Sequence, residues 1–394
     1  MSLPFDIEEL SLTRRADVDR FLQVSYSIYA QDPHWVAPLL VDLKKVFSAA
    51  NPFFAHAEMK LWVARRNGRD IGRVAGIIDR AYIKTQNDPS AFFGFLETIN
   101  EPAVCHRLID QVAKWAGQKQ MSRLLGPMNP SSNDECGLLV DGFDVSPFLM
   151  MPYNLRYYPE LVESAGFTKA KDLFAYQIDL RQAPAKRLEE VSELFRRRQK
   201  NLTVRPVLKR TLEADLAKVK EIYNAAWEEN WGFIPMTDPE IDFMAERLKP
   251  LLTEGLIWIA ETPEEPVGFL LALADFNQAL QPLRGRLATP RLLGFLPYLF
   301  GWKKPSQARV AILGVKRRYR KRGIEAVMFA ESLKTSLKHG FLIYEASWIL
   351  EDNIHVQRLV ELFGGRHYKT YRLYTRPVNL ADSAQGNRPS ASLS

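Results

Sequence analysis

Residues 308–338 read ARVAILGVKRRYRKRGIEAVMFAESLKTSLK. The first eight are apolar except for Arg309, the composition of a buried strand. Ala326, Ala330, Leu333 and Leu337 then recur at helical spacing, which predicts a one-sided helix from about Ile324. Between them Lys316, Arg317, Arg318, Arg320, Lys321 and Arg322 lead into Gly323. A cation-rich loop ending in glycine at a helix start offers free backbone N–H groups beside the positive end of the helix dipole, the arrangement that holds a pyrophosphate. It is not a Walker loop, because the glycine spacing and the Lys-Ser/Thr ending are missing, and it is not a dinucleotide GxGxxG. A merely solvated basic turn would carry the same charges without needing the strand before it and the helix after it.

Outward from this stretch the chain repeats itself. LWVARRNGRDIGRVAGIID from Leu61 aligns without a gap on IWIAETPEEPVGFLLALAD from Ile257: Trp62 meets Trp258, Gly72 meets Gly268 and Asp79 meets Asp275, at a constant offset of 196. Both segments read as two apolar strands joined by a turn, Asn67-Gly68 in one and Pro263 to Pro266 in the other. Further on, LVESAGF from Leu161 resembles LVELFGG from Leu359, and Tyr176 aligns with Tyr374, at an offset of 198. Two matches in one order at nearly one offset indicate a duplicated domain. The reading divides the chain into residues 1–180, a charged connecting helix at 181–203, a second copy at 204–378 and a loose polar tail at 379–394. In the first copy AFFGFLETINEPAVCHRL passes from strand to helix with Glu97 and Glu101 and no glycine at the helix start, so nothing there cradles a diphosphate. That copy is read as degenerate. Its loop 126–143, GPMNPSSNDECGLLVDGF, is expected to pack against the other domain.

The second half resembles the GNAT acyltransferase superfamily, whose members bind acyl-CoA with an Arg/Gln-x-x-Gly-x-Gly/Ala loop between a central strand and a helix. Arg320, Lys321, Arg322, Gly323, Ile324 and Glu325 stand in the six places, and Val315 stands where the family's strand ends in valine. LEDNIHVQRLVELFGG, from Leu350, looks like the family's Asn-led helix, with Asn353 leading it. The resemblance implies a mixed α/β (α+β) fold of two GNAT-like domains, each a mostly antiparallel twisted sheet flanked by helices. It also implies that the backbone of Leu313, Gly314 and Val315 binds the pantetheine and the thioester carbonyl. Two departures stand out. Glu325 occupies a place usually held by Gly or Ala, where a carboxylate opposes a diphosphate. Val360 occupies the place of the family's usual tyrosine acid, seven residues after Asn353.

Amide formation from a thioester needs a neutral amine, a site for the developing oxyanion and a proton for the departing thiolate. Glu345 and Glu351 are the expected bases, with Glu228 and Glu229 as further possibilities. Glu345 alternates with Ile343 on an apolar strand face, where burial raises a carboxyl pKa. Tyr344 is the expected acid, with Tyr319, Tyr368 and Tyr371 as substitutes. The expected activity is transfer of an acetyl or longer acyl group from acyl-CoA to a primary amine. The alternatives are N-acylation of a lipidic amine at a membrane surface and a non-catalytic acyl-CoA-binding or regulatory protein.

Composition bounds these readings. The 394 residues allow two sizeable cores, and 46% hydrophobic with 25% charged residues exclude a disordered or fibrous chain. A net charge of +7 is a mild signal for anionic partners. The basic runs lack the interleaved aromatics that stack bases, so no nucleic-acid partner is expected. Two cysteines, Cys105 and Cys136, supply neither a disulfide framework nor a four-cysteine zinc site, and the six histidines show no metal-ligand spacing. The acidic start of the chain predicts a cytoplasmic protein. One segment qualifies this: within 287–304, PRLLGFLPYLFGWKK from Pro290 brackets aromatic and aliphatic bulk with Arg291, Lys303 and Lys304. That is the composition of a stretch lying at a membrane interface or covering a lipid-like chain, or of one packed against the partner domain.

Overall fold

A computed structural model describes residues 4–228, 230–285, 292–300 and 302–378. The first half opens with β1 (Asp6–Leu10), α1 (Arg15–Ile28) and α2 (Leu40–Val46). The hairpin β2 (Ala57–Arg66) and β3 (Arg69–Asp79) follows. Its turn places Asn67 and Gly68 at φ of 49° and 77°, the left-handed pair that a two-residue hairpin demands. Then come α3 (Arg80–Gln86), β4 (Ser90–Thr98) and α4 (Pro102–Gln118), whose stripe Val104, Leu108, Val112 and Trp115 is buried. The short strands β5 (Arg123–Gly126), β6 (Met128–Asn129), β7 (Glu135–Cys136) and β8 (Leu138–Asp141) lead to α5 (Tyr158–Ser164) and β9 (Thr168–Asp179).

The second half is entered through α6 (Ala185–Arg198). It repeats the order with β10 (Thr203–Pro206), α7 (Leu212–Trp227), α8 (Asp238–Leu248), β11 (Ile257–Glu261) and β12 (Pro266–Ala274). Two short insert helices, α9 (Asn277–Leu280) and α10 (Leu292–Leu299), precede β13 (Gln307–Val315), α11 (Ile324–Lys338), β14 (Ile343–Leu350), α12 (Ile354–Leu362) and β15 (Arg366–Pro377). The sequence-predicted tail, 379–394, lies outside the described residues, as do Glu229 and part of the 287–304 segment.

One mixed sheet runs through both halves in the order β1-β2-β3-β4-β5-β15-β9-β14-β13-β12-β11-β10, with β8 also on β15. All pairings are antiparallel except β4–β5 and β13–β14. The sheet does not respect the division near residue 200. The last strand of the second half, β15, pairs with β5 of the first, and the last strand of the first half, β9, pairs with β14 of the second. The two exchanged strands pair with each other along most of their length. Neither 1–180 nor 204–378 therefore closes a sheet alone. Leu173 and Ala175 of β9 share one core with Phe92 and Phe95, while Tyr176 and Ile178 join another under α11.

Candidate active site

The parallel ladder between β13 and β14 holds only from Gln307↔Ile343 to Val310↔Ala346. Beyond Val310 the two strands part, and Ala311 is bulged out of register with β12. A bulge bends its strand and leaves a residue unpaired. The ladder is stitched at its last rungs. Arg309, opposite Glu345, donates from Nε to Ser347 Oγ at 2.9 Å, and Ser347 donates to Glu345 Oε1 at 2.7 Å. Tyr368 donates to the other carboxylate oxygen. Arg309 also reaches the carbonyls of Leu149 and Met150 at 3.2 and 3.4 Å, which fastens a first-half loop to the fork. Arg309 and Glu345 are fully or almost fully buried, so each charge depends on the other for compensation.

Above the fork lies a cavity of about 270 Å³. Its wall is mainly apolar: Trp227, Phe233, Met244, Leu248, Ile312 and Trp348 are representative. Met244 and Leu248 come from α8, which is tied to the first half at both ends. His56 Nε2 meets Glu240 Oε1 at 2.9 Å, and Arg247 pairs with Asp42 at 2.7 Å. Polar groups enter the cavity from the first-half loop, as Ser132, Asn133 and Asp134. Ser132 donates to the Gly232 carbonyl at 2.8 Å, and Asn133 accepts from Tyr223 at 3.0 Å. Asp134 is the only carboxylate among the described residues of the lining. One of its oxygens accepts from Ser131 Oγ at 2.9 Å, and burial pushes its pKa up to about 6. Cys136 also lines the cavity, but burial pushes its thiol up to about 12, which keeps it protonated and inert.

At the far end of β13 the chain turns through Lys321, at φ 65°, and Gly323, at φ 81°, into α11. The helix has no side-chain cap, so its first-turn N–H groups keep their hydrogen-bonding capacity. A Cβ added at Gly323 would meet nothing within 4 Å. This is open space at a positive helix end.

The first half contains the same fork. The parallel ladder of β4 and β5 ends at Phe92↔Leu125, and β4 bulges at Phe95, whose φ is 50°. Here the gap is filled. Asn129 Oδ1 accepts from the Phe95 N–H at 2.6 Å, and a Cβ at Gly94 would lie 1.7 Å from the Met128 carbonyl oxygen. The helix that follows starts with Pro102, which has no N–H, and with Glu101 paired to Arg66 at 2.7 Å.

No family model matches the chain. It is 33% identical over 393 residues to the bacterial ceramide synthase of Caulobacter vibrioides, covering 95% of this chain and 98% of that protein. It is 30% identical over 378 residues to protein YghO of Escherichia coli, covering 92% and 93%. Among solved structures, a tandem GNAT protein from the clavulanic acid biosynthesis pathway superposes with a TM-score of 0.58 at 13% identity, covering 95% of this chain and 99% of that one. The chain belongs to the family of the bacterial ceramide synthase, and its fold is the tandem GNAT fold.

Against this GNAT frame the sequence-predicted residues fall into three groups. Leu313 and Asn353 line the cavity, and Asn353 caps α12 by accepting from Val356 N–H at 3.2 Å. Gly314 lies beneath the Trp227 ring, where any Cβ would come within 2.1 Å of it, and Val315 is buried beside it. Gly323, Ile324 and Glu325 form the open start of α11, with exposed Lys321 and Arg322 before it.

The loop is less cationic in effect than its sequence. Lys316 is held by Glu221 and Glu265 at 2.5 and 2.9 Å, and Arg318 also pairs with Glu265. The Arg320 guanidinium donates to the carbonyls of Ala226 and Val315 at 2.5 and 3.3 Å. Arg320 thus joins the strand end to α7.

The expected acid and bases sit elsewhere than the cavity wall. Tyr344 lies on the opposite sheet face, bonded to Ser332 under α11, and burial pushes its hydroxyl up to about 12. Glu351 accepts from Lys169 at 2.5 Å and from the Asp172 N–H at 3.2 Å, outside the lining residues. Glu345 is in the fork beneath the cavity, and its carboxylate is occupied by Ser347 and Tyr368. Glu228 is exposed at the end of α7. Asp134 was missed, because its loop has no periodicity and belongs to the half that lacks the phosphate loop.

Proposed function

We propose that the protein transfers a long acyl group from acyl-CoA to the amine of a lipidic amino alcohol, in the cleft between β13 and β14. The observation that carries this reading is an apolar cavity at a strand fork, with one carboxylate among its described lining residues, on the strand that leads to an uncapped helix start. The relative's name supports the substrate class, since ceramide is the amide of a fatty acid with a long-chain amino alcohol. The residues fit such a thioester. The first-turn amides of α11, with Lys321 and Arg322, would hold the diphosphate, and the edge of Ala311–Val315 that β14 leaves free would bind the pantetheine by its backbone. The apolar wall suits contact with an alkyl chain.

Asp134 supplies the polar chemistry. Its carboxylate attracts the ammonium group and takes a proton from it. The freed amine attacks the thioester carbonyl, forming the C–N bond. Charge building on the oxygen is met by backbone N–H groups at the bulge, already aimed and costing no reorganisation. Collapse breaks the C–S bond, Asp134 returns its proton to solvent, and the departing thiolate takes up the second proton that the nitrogen must lose. Because an ordinary thiol has a pKa of about 8.5, that proton is readily accepted near neutrality. This division of labour gives the first half a role in catalysis through its loop, although its own fork is blocked.

The test is thiol release from palmitoyl-CoA, with and without a long-chain amino alcohol, with the amide identified by mass spectrometry. Amine-dependent release with matching amide supports the reading. Release without amine, or binding with no release for any amine, overturns it.

A further inference from the structure

The insert helix α10 carries LLGFLPYL, without an acid, and runs on to Phe300 and Trp302. Leu293, Phe300 and Trp302 are 70%, 60% and 79% exposed, and among the described residues only Val41 is comparably bare for a large hydrophobic side chain. Phe300 and Trp302 stack on each other with ring centroids 5.2 Å apart, leaving their outer faces to solvent. Lys303 and Lys304 are exposed and make no ion pair with any described acid. The Lys303 ammonium lies 5.1 Å over the Tyr298 ring. Large apolar side chains this exposed, grouped on one short segment, mark an interaction site.

The element beneath it is firmly seated. Gln281 donates to the Pro33 carbonyl at 3.0 Å, Arg284 donates to the Ala30 carbonyl, and Asn277 donates to the Pro147 carbonyl at 2.9 Å. Gly285, at φ 76°, is pressed against Tyr26 so closely that a Cβ would fall 2.4 Å from the ring. The insert is thus anchored on first-half loops by its inner side, while its outer side is apolar and flanked by unpaired cations.

We infer that the exposed side chains of Leu293, Phe300, Trp302, Lys303 and Lys304 form a docking surface for an anionic phospholipid bilayer. The charge pattern selects this occupant. Aromatic side chains settle at the headgroup level, and flanking lysines extend toward lipid phosphates while their stems stay in the apolar layer. Each basic residue near an anionic surface adds to the attraction. No described helix is long and apolar enough to cross a membrane, so the contact is with one face of the bilayer. The inference goes beyond the acyl-transfer reading and does not depend on it, because its readout is binding. A lipidic substrate delivered from the same surface would join the two.

The experiment is co-sedimentation of the full chain with phosphatidylcholine vesicles, with and without about 30% phosphatidylglycerol, at low and high salt. The wild type is expected to sediment with the anionic vesicles. Phe300→Ser with Trp302→Ser is expected to weaken partitioning at least about tenfold. Lys303→Glu with Lys304→Glu is expected to remove the preference for anionic lipid and its salt dependence. Both pairs are exposed and neither lines the cavity, so the circular dichroism spectrum and melting temperature of each variant are expected to match the wild type, which checks that both are folded. Equal binding by the wild type and the aromatic variant overturns the proposal, as does absence of wild-type binding. A change in self-association by sedimentation velocity, with vesicle binding unaltered, would instead assign the patch to a second copy of the chain and overturn it as well.

Discussion

The two strand forks of this molecule share a plan and differ in what fills them. Each starts as a parallel ladder of three or four rungs and ends at a bulge: β13–β14 at Val310, and β4–β5 at Phe92. In the second half the fork opens into a cavity, and β13 runs on to a helix start without a side-chain cap. In the first half the Met128–Asn129 segment occupies the gap, and Asn129 uses its side-chain oxygen to satisfy the Phe95 N–H that the bulge leaves free. A fork that lost its ligand would leave buried backbone groups unpaired, at a cost of about 1–3 kcal/mol each. Supplying an internal partner removes that cost. The plugging loop then continues into the other cavity and delivers Asp134, so the blocked copy still serves the open one.

The contrast can be broken most severely at Asp134. Asp134→Asn keeps the side-chain shape and removes the proton acceptor, and amine-dependent turnover is expected to fall roughly 10²–10⁴-fold. Since the native carboxyl titrates near 6 rather than near its ordinary 3.8, the unfolded chain gives up this proton more readily than the folded one. Stability is therefore lost as pH rises from about 4 through 6, and the Asn variant is expected to melt at or above the wild-type temperature at pH 7. The wild-type rate should show an acidic limb near pH 6 that the variant lacks. A variant with normal turnover would remove Asp134 from the mechanism.

Next in size is Glu345→Gln. It leaves the Arg309 charge buried without its counter-ion and is expected to cost about 3–5 kcal/mol of stability in denaturant unfolding. If activity falls while the unfolding midpoint stays in place, Glu345 acts on the substrate rather than on the fork.

The smallest effect is expected at the plug. Asn129→Ala removes the bond to Phe95 N–H and should cost about 1–3 kcal/mol. It should not create a second acyl-CoA site, because Pro102 and Glu101 stand where the other half has Gly323 and free amides. A gain of CoA binding in this variant would mean that the plug alone separates the two forks.

The strands, the one-sided helices and the glycine turn into α11 were legible because each is a local pattern. Alternation marks β2, β3, β11 and β12, and Gly323 marks the helix start. The exchange of β9 and β15 was not, because the two strands follow matching motifs at one offset and either suits either slot; only pairing across the molecule decides. The sequence displays the cations of Lys316 and Arg318 but not Glu221 and Glu265, which come from other elements to neutralise them. Glu345 could be placed on a buried face by alternation, yet its register with Arg309 depends on the parallel ladder. Asp134 lies among Pro, Ser and Asn, where periodicity says nothing.

The central claim is that acyl-CoA is held once per chain, at the amides ahead of α11. Calorimetric titration with palmitoyl-CoA of the wild type and of Gly323→Asp tests it directly. The account predicts one site per chain and, for Gly323→Asp, a loss of at least about a hundredfold in affinity, or about 3 kcal/mol, since the variant sets a carboxylate against the diphosphate in a strained backbone position. Two sites per chain, or one site that Gly323→Asp leaves unchanged, would contradict it.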